Sequence, residues 1–447
     1  MLLLPRHSSA TSPIPWIIGG GALIAGAILR FYMTYVVFRP TEHIFSDMQG
    51  YVTLAQRLLN SNYTLNSFDL IQPLGTSLLL AGSLRLTGGL HAVEALWLFL
   101  SIAAPVLWFI AARKMVGPVL AAAVAVWASL DFSMISFGSL FMSETPFTFF
   151  IAAGTACLAM AMTSQGRFSQ PWSSAAGILW GISLLFRPHG ICMLLMTVTI
   201  TVTGIWTRRR EKNAVKGQAE TAVAQTLLPF LFIAAIFAGY FSFKSGRPML
   251  TSLGAGCQMV MGRLPDAAEA RFEEPGTGIF HFYGSPVAHQ RNPTGKFKFD
   301  FSVVDNAAAM KEAMKMFGRD PVQYLTLSFK NANDSIFGND PWPANQMPTA
   351  SLLKFYEVLF LLLGIIPAFA LVFPPFKIPR GSEVLTASLA LPLLGLWLLG
   401  FVAIGESRYR IPFDGLIIIM ACMKWGEILE WIREWVRNNQ KKTSTAS

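Results

Sequence analysis

Charged residues are scarce in this chain. Only 13% of its 447 residues are Asp, Glu, Lys or Arg, whereas 53% are hydrophobic. Soluble domains carry about 25% charged residues, so this chain has too little polar surface to face water on all sides. The sequence therefore indicates an integral membrane protein and excludes an ordinary soluble enzyme.

Several patterns typical of other protein classes are missing. Three of the four cysteines (Cys157, Cys192 and Cys422) fall in apolar segments, so a disulfide framework is not expected. The sequence has no Cys/His cluster at zinc spacing, no Gly-rich nucleotide loop and no Gly-x-Ser-x-Gly elbow. A nucleotide-driven pump and a serine hydrolase are therefore unsupported, and any donor of chemical energy is expected to be membrane-borne.

The net charge of +10 comes largely from basic residues at the ends of apolar segments. One cluster lies in the loop 207–222 and another at the C-terminus: Arg208, Arg209, Arg210, Lys212, Lys216, Arg433, Arg437, Lys441 and Lys442. Basic residues that flank apolar spans mark the cytoplasmic side. This placement predicts cytoplasmic loops and tails, with no nucleic acid as a partner.

Eleven apolar segments approach the length of about 20 residues that a membrane-spanning helix needs. They are Pro15–Phe38, Leu70–Leu86, Ala92–Ala112, Val119–Phe132, Pro146–Met162, Ser174–Phe186, Gly190–Trp206, Leu227–Phe243, Leu352–Phe373, Val384–Ile404 and Pro412–Met423. The first outer loop and the cytoplasmic loop at 207–222 require an odd number of crossings between them, yet six segments intervene. One segment is therefore a half-span, either Leu70–Leu86 or Ser174–Phe186, and about ten crossings leave both chain ends in the cytoplasm.

These segments predict an all-α polytopic membrane protein of 10–11 transmembrane helices, divided into four parts. Residues 1–246 form an N-terminal transmembrane module whose first outer loop spans 39–70. Residues 247–350 form a small extracytoplasmic cap with helices at Val303–Phe317 and Val322–Phe337. Residues 351–426 return to the membrane, and residues 427–447 form a cytoplasmic amphipathic tail.

The first outer loop holds the main candidate for catalysis. Asp47 follows Glu42 and His43 and precedes Tyr51 in the stretch FRPTEHIFSDMQGY. One interpretation is structural, because loop Asp residues often cap helices. The other is chemical, because a carboxylate at a membrane surface can take the proton of a hydroxyl acceptor.

A second candidate is the stretch GESRYRIPFD between two late apolar segments, where Arg408 and Arg410 flank Tyr409. On the predicted topology these arginines lie outside, against the positive-inside bias. Arginine is a strong, permanently charged donor to phosphate oxygens, so a phosphate site explains their position. Glu406 is expected to hold one of them, and the alternative is that they only terminate the spans.

Three more polar residues lie where spans begin or end. Glu144 either caps a helix or faces the cavity of the site. Arg187 either binds a lipid phosphate or pairs with an acid such as Glu144, because an arginine near membrane depth is generally partnered. Gln72 contacts substrate or, beside Asp69, takes part in capping.

Four stretches together resemble the GT-C superfamily of polytopic glycosyltransferases, the group of the protein O-mannosyltransferases and the lipid A aminoarabinose transferase. They are the first outer loop with Asp47 and Tyr51, IQPLGTSLLLAGSLRLTGG from Ile71, SETPFTFF with LLFRP, and ESRYRIPFD from Glu406. The resemblance implies an inverting sugar transfer from a polyprenyl-phosphate donor to a hydroxyl of a glycan, lipid or protein. It also implies an active site on the extracytoplasmic face of the bacterial inner membrane.

The resemblance also implies roles for individual residues. Asp47 would be the catalytic base, and Arg408 and Arg410, with Arg187, would hold the donor phosphate. Substrate contacts are expected from Glu42, His43, Tyr51, Gln72, Glu144 and Tyr409, and sugar stacking from Tyr283 and Trp342. No metal ligand is assigned, because Ser46 stands before Asp47 where many relatives have a second acid, and dependence on a divalent metal stays open.

The competing hypothesis is a flippase or transporter of lipid-linked saccharides, which also needs buried charges and basic loops. Transporters often show repeated halves with broken helices, and no such repeat is visible in this sequence. An enzyme predicts that Asp47 and Arg408 share one outward cavity, whereas a carrier needs a central path reachable from both sides.

Overall fold

The computed structural model describes residues 12–163, 169–198, 218–264, 269–274, 278–283, 295–372 and 382–446. Its helices are α1 (Ile14–Val37), α2 (Asp47–Leu58), α3 (Gly75–Thr87), α4 (Leu90–Met115), α5 (Pro118–Leu130), α6 (Phe132–Gly138), α7 (Glu144–Thr163), α8 (Ser169–Ser183), α9 (Pro188–Val198), α10 (Gln218–Ser245), α11 (Ala255–Met261), α12 (Asn306–Arg319), α13 (Pro321–Phe337), α14 (Ala350–Val372), α15 (Ser382–Val402) and α16 (Asp414–Ala446). The strands are β1 (Glu269–Glu274), β2 (Gly278–Tyr283) and β3 (Lys296–Phe299).

Several of these helices are long and apolar enough to cross a membrane. In the described ranges they are α1, α4, α7, α10 and α14, and the pair α5–α6, bent by 46°, counts as a sixth if it forms one span. Shorter apolar helices lie at Pro188–Val198 and Ser388–Val402. The predicted class, a polytopic helical membrane protein, is confirmed. The basic cluster at 208–210 lies outside the described residues.

Helix α3 has the contacts expected of the half-span. At its start the backbone N–H of Gly75 donates to the carbonyl of Leu185, 2.8 Å away, in the turn that follows α8. Its far end leads directly into α4, where Trp97 Nε1 donates to the carbonyl of Met142 just before α7. Both ends of α3 therefore adjoin the same end of the bundle. Its 13 residues span about 20 Å, short of the ~30 Å hydrocarbon core. Together with the position of its two ends, this length favours Leu70–Leu86 as the half-span.

Helix α8, the other half-span candidate, runs antiparallel along α7. Trp180 Nε1 donates to the carbonyl of Ile151 in the middle of α7, and Arg187 reaches Glu144 at the start of α7. Between Asp47 and Glu144 the chain then crosses twice, through α4 and through the α5–α6 pair. Because two is an even number, Glu144 lies at the same end of the bundle as Asp47.

The long connection 247–350 contains a three-stranded sheet of order β2-β1-β3, with β1–β2 antiparallel and β1–β3 parallel. A second apolar core forms here around Phe272, Phe299 and Val303, and it includes Leu70 and Leu74 ahead of α3. The sheet was not predicted, although KFKF alternates with the period of a strand. Both predicted helices of this connection are present, as α12 and α13.

One buried carboxylate ties the sheet together electrostatically. Glu269 of β1 accepts from Arg271 Nε at 3.2 Å and bonds His281 of β2. The hydrogen bond from Arg271, followed by that of His281, lowers the pKa of Glu269 to about 2. The carboxylate therefore stabilises the folded sheet when it is ionised.

Helix α13 packs against the helical bundle. The side chain of Asn331 donates to the carbonyl of Gly262 at 2.6 Å, and the ring of Phe329 lies 5.1 Å from that of Phe401 in α15. A Cβ at Gly405 would lie only 1.7 Å from the Asn331 carbonyl oxygen, so glycine is needed where the two backbones meet. The second half of this connection is thus packed into the transmembrane part.

The last span and the predicted tail form one continuous helix. Helix α16 has 33 residues, about 50 Å in length. Its first turns are fully buried around Leu416–Met420, whereas Leu429 and Trp431 are exposed. The tail predicted at 427–447 therefore extends the last transmembrane helix without a break.

Candidate active site

Asp47 is the first residue of α2, and its side chain is turned away from the helix end. The N-cap residue is Ser46, with no side-chain capping bond, and its φ of 56° is the one positive value among the described non-glycine residues. Such backbone strain costs about 1–3 kcal/mol and clusters at functional sites. Asp47 Oδ2 instead accepts from Arg408 Nη1 at 3.0 Å. The capping interpretation of Asp47 therefore does not describe its side chain.

Arg408 lies at the centre of a cluster of acids. Besides Asp47, its Nε lies 2.5 Å from Glu406 Oε2 and 4.0 Å from Glu144 Oε1. Burial lowers the pKa of Arg408, but the charges of Glu406 and Asp47 outweigh it and hold that pKa well above its usual value. The guanidinium is therefore permanently charged, and it is almost completely buried.

A second buried ion pair borders the first. Arg187 Nη2 lies 2.5 Å from Glu144 Oε1, and Arg187 Nε donates to Ser143 Oγ at 2.8 Å. Both charged side chains are almost completely buried. Glu144 thus pairs with Arg187, as one alternative predicted, and also faces Arg408. Two arginines and three carboxylates are collected within a few ångströms, although they come from four separate parts of the chain.

Aromatic rings cover the two arginines. The Arg187 guanidinium lies 5.1 Å from the ring of Tyr409, and that of Arg408 lies 5.0 Å from the ring of Trp342. The ring of His189 packs on Tyr409 at 4.6 Å. Trp342 Nε1 and His189 Nδ1 are buried without a hydrogen-bond partner. Buried polar atoms are normally satisfied, so these two atoms are candidates for contact with a ligand.

Arg410 lies in a different environment from Arg408. Its Nε donates to Asp414 at 2.8 Å, its Nη2 to Glu357 at 2.6 Å and its Nη1 to the carbonyl of Ile336 at 3.1 Å. The last contact caps the C-terminal end of α13. Each guanidinium nitrogen is thus committed within the bundle interior, so we assign Arg410 a structural role in place of the predicted phosphate contact.

The other predicted site residues surround α2. Tyr51 is buried one turn after Asp47, and burial, followed by the charge of Asp47, raises its pKa. Gln72 packs against the same helix, with its Oε1 3.8 Å from where a Cβ on Gly50 would lie. The side chains of Glu42 and His43 do not contact the cluster around Arg408. Glu42 is 62% exposed and 3.4 Å from Arg39, while His43 stacks on Phe38.

Comparisons with known proteins show a family match over part of the chain and a shared fold. The sequence model of the dolichyl-phosphate-mannose-protein mannosyltransferases matches residues 94–244, about a third of the chain. The oligosaccharyltransferase of Archaeoglobus fulgidus, solved with zinc and sulfate, shares the fold with a TM-score of 0.50 at 11% identity. That likeness covers 92% of this chain and 49% of the other. This chain therefore shares the membrane-protein fold of that oligosaccharyltransferase.

Two further structures are similar. AglB from the same archaeon, in complex with an inhibitory peptide and a dolichol-phosphate, gives a TM-score of 0.49 at 11% identity, covering 96% of this chain and 52% of that one. ArnT from Cupriavidus metallidurans in the apo state gives 0.39 at 12%, covering 93% and 78%. Curated protein sequences contain no match. This chain spans about half the length of the archaeal oligosaccharyltransferases it matches.

The acids of this site do not fit a divalent metal. In the described ranges no three His, Cys, Asp or Glu side chains form a metal-binding group. Asp47 and Glu406 both turn toward the guanidinium of Arg408, so a fixed positive charge occupies the position that a cation would take between them. We therefore derive no step through a metal ion.

Two members of the cluster, Ser143 and His189, were not predicted from the sequence. His189 could have been found from its position two residues after Arg187, because Arg187 precedes the first turn of α9 and His189 lies in that turn. Of the residues expected to stack on sugar, Trp342 lies over Arg408, whereas the side chain of Tyr283 lies outside the described structure.

Proposed function

We propose that this chain is a glycosyltransferase that moves a sugar from a polyprenyl-phosphate-linked donor to a hydroxyl group of a glycan, lipid or protein, with inversion at the anomeric carbon. The proposal places the site on the extracytoplasmic face of a bacterial inner membrane. The observation that carries it is the contact of Asp47 with Arg408. These residues are 361 positions apart in the sequence, yet their side chains meet at 3.0 Å.

The chemistry divides between the acid and the arginines. Asp47 accepts the proton of the acceptor hydroxyl, whose oxygen attacks the anomeric carbon. The bond from that carbon to the phosphate oxygen breaks, and the lipid phosphate leaves with the electron pair. Arg408 and Arg187 stabilise the charge that develops on the phosphate, an electrostatic contribution that is usually the largest in catalysis. Asp47 keeps the proton until solvent removes it.

Because Asp47 is paired with Arg408, binding of the donor phosphate would also change the contacts of Asp47. In this structure the Asp47 carboxylate accepts a hydrogen bond from the Arg408 guanidinium. A donor phosphate competes for the same guanidinium and so releases Asp47 for proton transfer. With 24% of its side chain exposed, Asp47 is the member of the pair that an acceptor can approach.

Glu144 has a supporting role in this scheme. It is fully buried and pairs with Arg187 at 2.5 Å, so it positions the two arginines and does not bind the acceptor. Tyr409 and Trp342 flank the same arginines and supply flat apolar surfaces against which a sugar ring stacks.

The similar proteins support a lipid-linked donor. The matching family takes its name from transfer of mannose from a dolichyl phosphate to protein, and the archaeal AglB structure contains a dolichol-phosphate. The one-sided position of the charged cluster supports an enzyme over a flippase. A carrier would need these charges along a path open to both ends of the bundle, whereas here they gather at one end.

The test is transfer by purified protein in liposomes, supplied with polyprenyl-phosphate sugars and an envelope extract as acceptor. Asp47→Asn keeps the shape and removes the base, so turnover should fall about 100- to 10,000-fold. Glu42→Gln is the matched control, because it neutralises an acid of the same loop that lies on the surface beside Arg39. Near-normal turnover of Asp47→Asn would refute the proposed base.

A further inference from the structure

Helix α12 carries an exposed apolar stripe. Met310, Met314 and Phe317 recur at helical spacing, and all are exposed, with Met314 at 69%. The side of the helix about a quarter turn away is buried through Ala309 and Ala313. The stripe is therefore not the side that packs on the protein, and its apolar area is unexplained by the fold.

Helix α13 carries a second stripe. Val322, Leu325 and Phe329 are spaced three and four residues apart, and all are exposed, with Val322 at 75%. The side of the helix next to this stripe is buried through Ser328, Ala332 and Ser335. Each of these two consecutive helices therefore has one side that packs on the protein and an exposed apolar stripe.

The stripe of α13 is continuous with the lipid-facing surface of α15. Phe329 packs against Phe401 at 5.1 Å and against Trp397 at 6.0 Å. Helix α15 is an apolar helix of the transmembrane bundle, and its Leu394, Leu398 and Val402 side chains are exposed. In a membrane protein, such exposed apolar side chains on a transmembrane helix face hydrocarbon. The neighbouring apolar side of α13 lies on the same surface.

Cations border the apolar stripe on α12. Lys311, Lys315 and Arg319 follow one another every four residues and are all exposed. At 100° per residue they lie beside Met310 and Met314, on the side farthest from the buried alanines. An apolar face flanked by a cationic face is the pattern of a helix at a membrane interface.

We infer that α12 and α13 are embedded in the lipid bilayer beside α15, with anionic phospholipid as their partner. The apolar stripes contact acyl chains, and the α12 cations contact headgroup phosphates. The connection 247–350 is then anchored in the membrane and is not a cap lying in water. This inference does not depend on the proposed sugar transfer.

The direct test measures the depth of single spin labels in liposomes of phosphatidylcholine with 30% phosphatidylglycerol. Cysteines replace Met314, Val322, Gln323 or Lys298 after removal of the four native cysteines. Labels at 314 and 322 should be more accessible to oxygen than to a water-soluble nickel reagent. The adjacent label at 323, on the polar side of α13, and the label at 298 in β3 should show the reverse. Water-like accessibility at both 314 and 322 would overturn the inference.

A second measurement uses the wild-type protein and so does not rely on variants that fold. Liposomes containing a diazirine-labelled phosphatidylglycerol are irradiated, and labelled peptides are mapped by mass spectrometry. Adducts are expected within 306–337 as well as on the transmembrane helices. If the peptides of 306–337 instead cross-link to a second protein copy and carry no lipid, a protein interface covers this surface and the inference is wrong.

Discussion

Two arginines two positions apart should respond differently to the same substitution. Arg410→Gln leaves Glu357 and Asp414 without their cation in the bundle interior, where all three side chains are fully buried. Removing one partner of a buried ion pair typically costs about 3–5 kcal/mol. It also removes the cap on the α13 carbonyl of Ile336. The variant should therefore unfold at much lower denaturant or temperature, measured in detergent.

Arg408→Gln should instead impair donor binding. Its partners Asp47 and Glu406 are 24% and 18% exposed, so water compensates for the lost cation and the stability change stays small. Losing a buried contact to phosphate should cost about 2–5 kcal/mol, roughly a 30-fold or larger rise in the Kd for polyprenyl phosphate. If Arg410→Gln keeps wild-type stability and weakens donor binding instead, the assignment of the two arginines is reversed.

Three further predictions follow from other contacts. Glu144→Gln should lower stability through loss of the buried pair with Arg187, and Glu144→Gln combined with Arg187→Met should recover part of it in a double-mutant cycle; additive losses would contradict the pairing. Because the folded pKa of Glu269 is about 2, below its unfolded value of about 4.3, its stabilisation is complete above that value and is lost as pH falls toward 2. Limited proteolysis of 247–350 should therefore increase in acid for wild type, with a weaker pH dependence in Glu269→Gln; identical pH profiles would contradict this. Single cysteines at Asp47 and Arg408 should react with an impermeant thiol reagent from the same face of right-side-out vesicles, and labelling from opposite faces would rule out a shared site.

Much of the architecture could be predicted because membrane helices obey strong constraints. Apolar length and the placement of basic residues were enough to predict a polytopic bundle, and crossing parity required one half-span. The choice between the two candidate half-spans depended on which end of the bundle each segment reaches. That is a long-range property, visible only in contacts such as Gly75 with Leu185.

The sequence was less informative about which polar residues meet. Arg408 and Arg410 are alike by type, spacing and flanking charge, yet one faces Asp47 and the other is enclosed by Glu357 and Asp414. The 3₁₀ turns at Ser407–Tyr409 and Ile411–Phe413 turn the two side chains toward different surroundings. No local pattern separates two such arginines, because the acids that select them come from distant helices.

The most direct test of the sugar transfer is the fate of the donor. Proteoliposomes containing the wild-type protein receive a panel of radiolabelled polyprenyl-phosphate hexoses and pentoses, with an envelope extract as acceptor. Free polyprenyl phosphate and sugar-labelled acceptor should appear together, and neither should appear with Asp47→Asn. If the protein instead moves intact donor across the bilayer without cleaving it, and Asp47→Asn does the same, the chain acts as a flippase and the proposed transferase mechanism is contradicted.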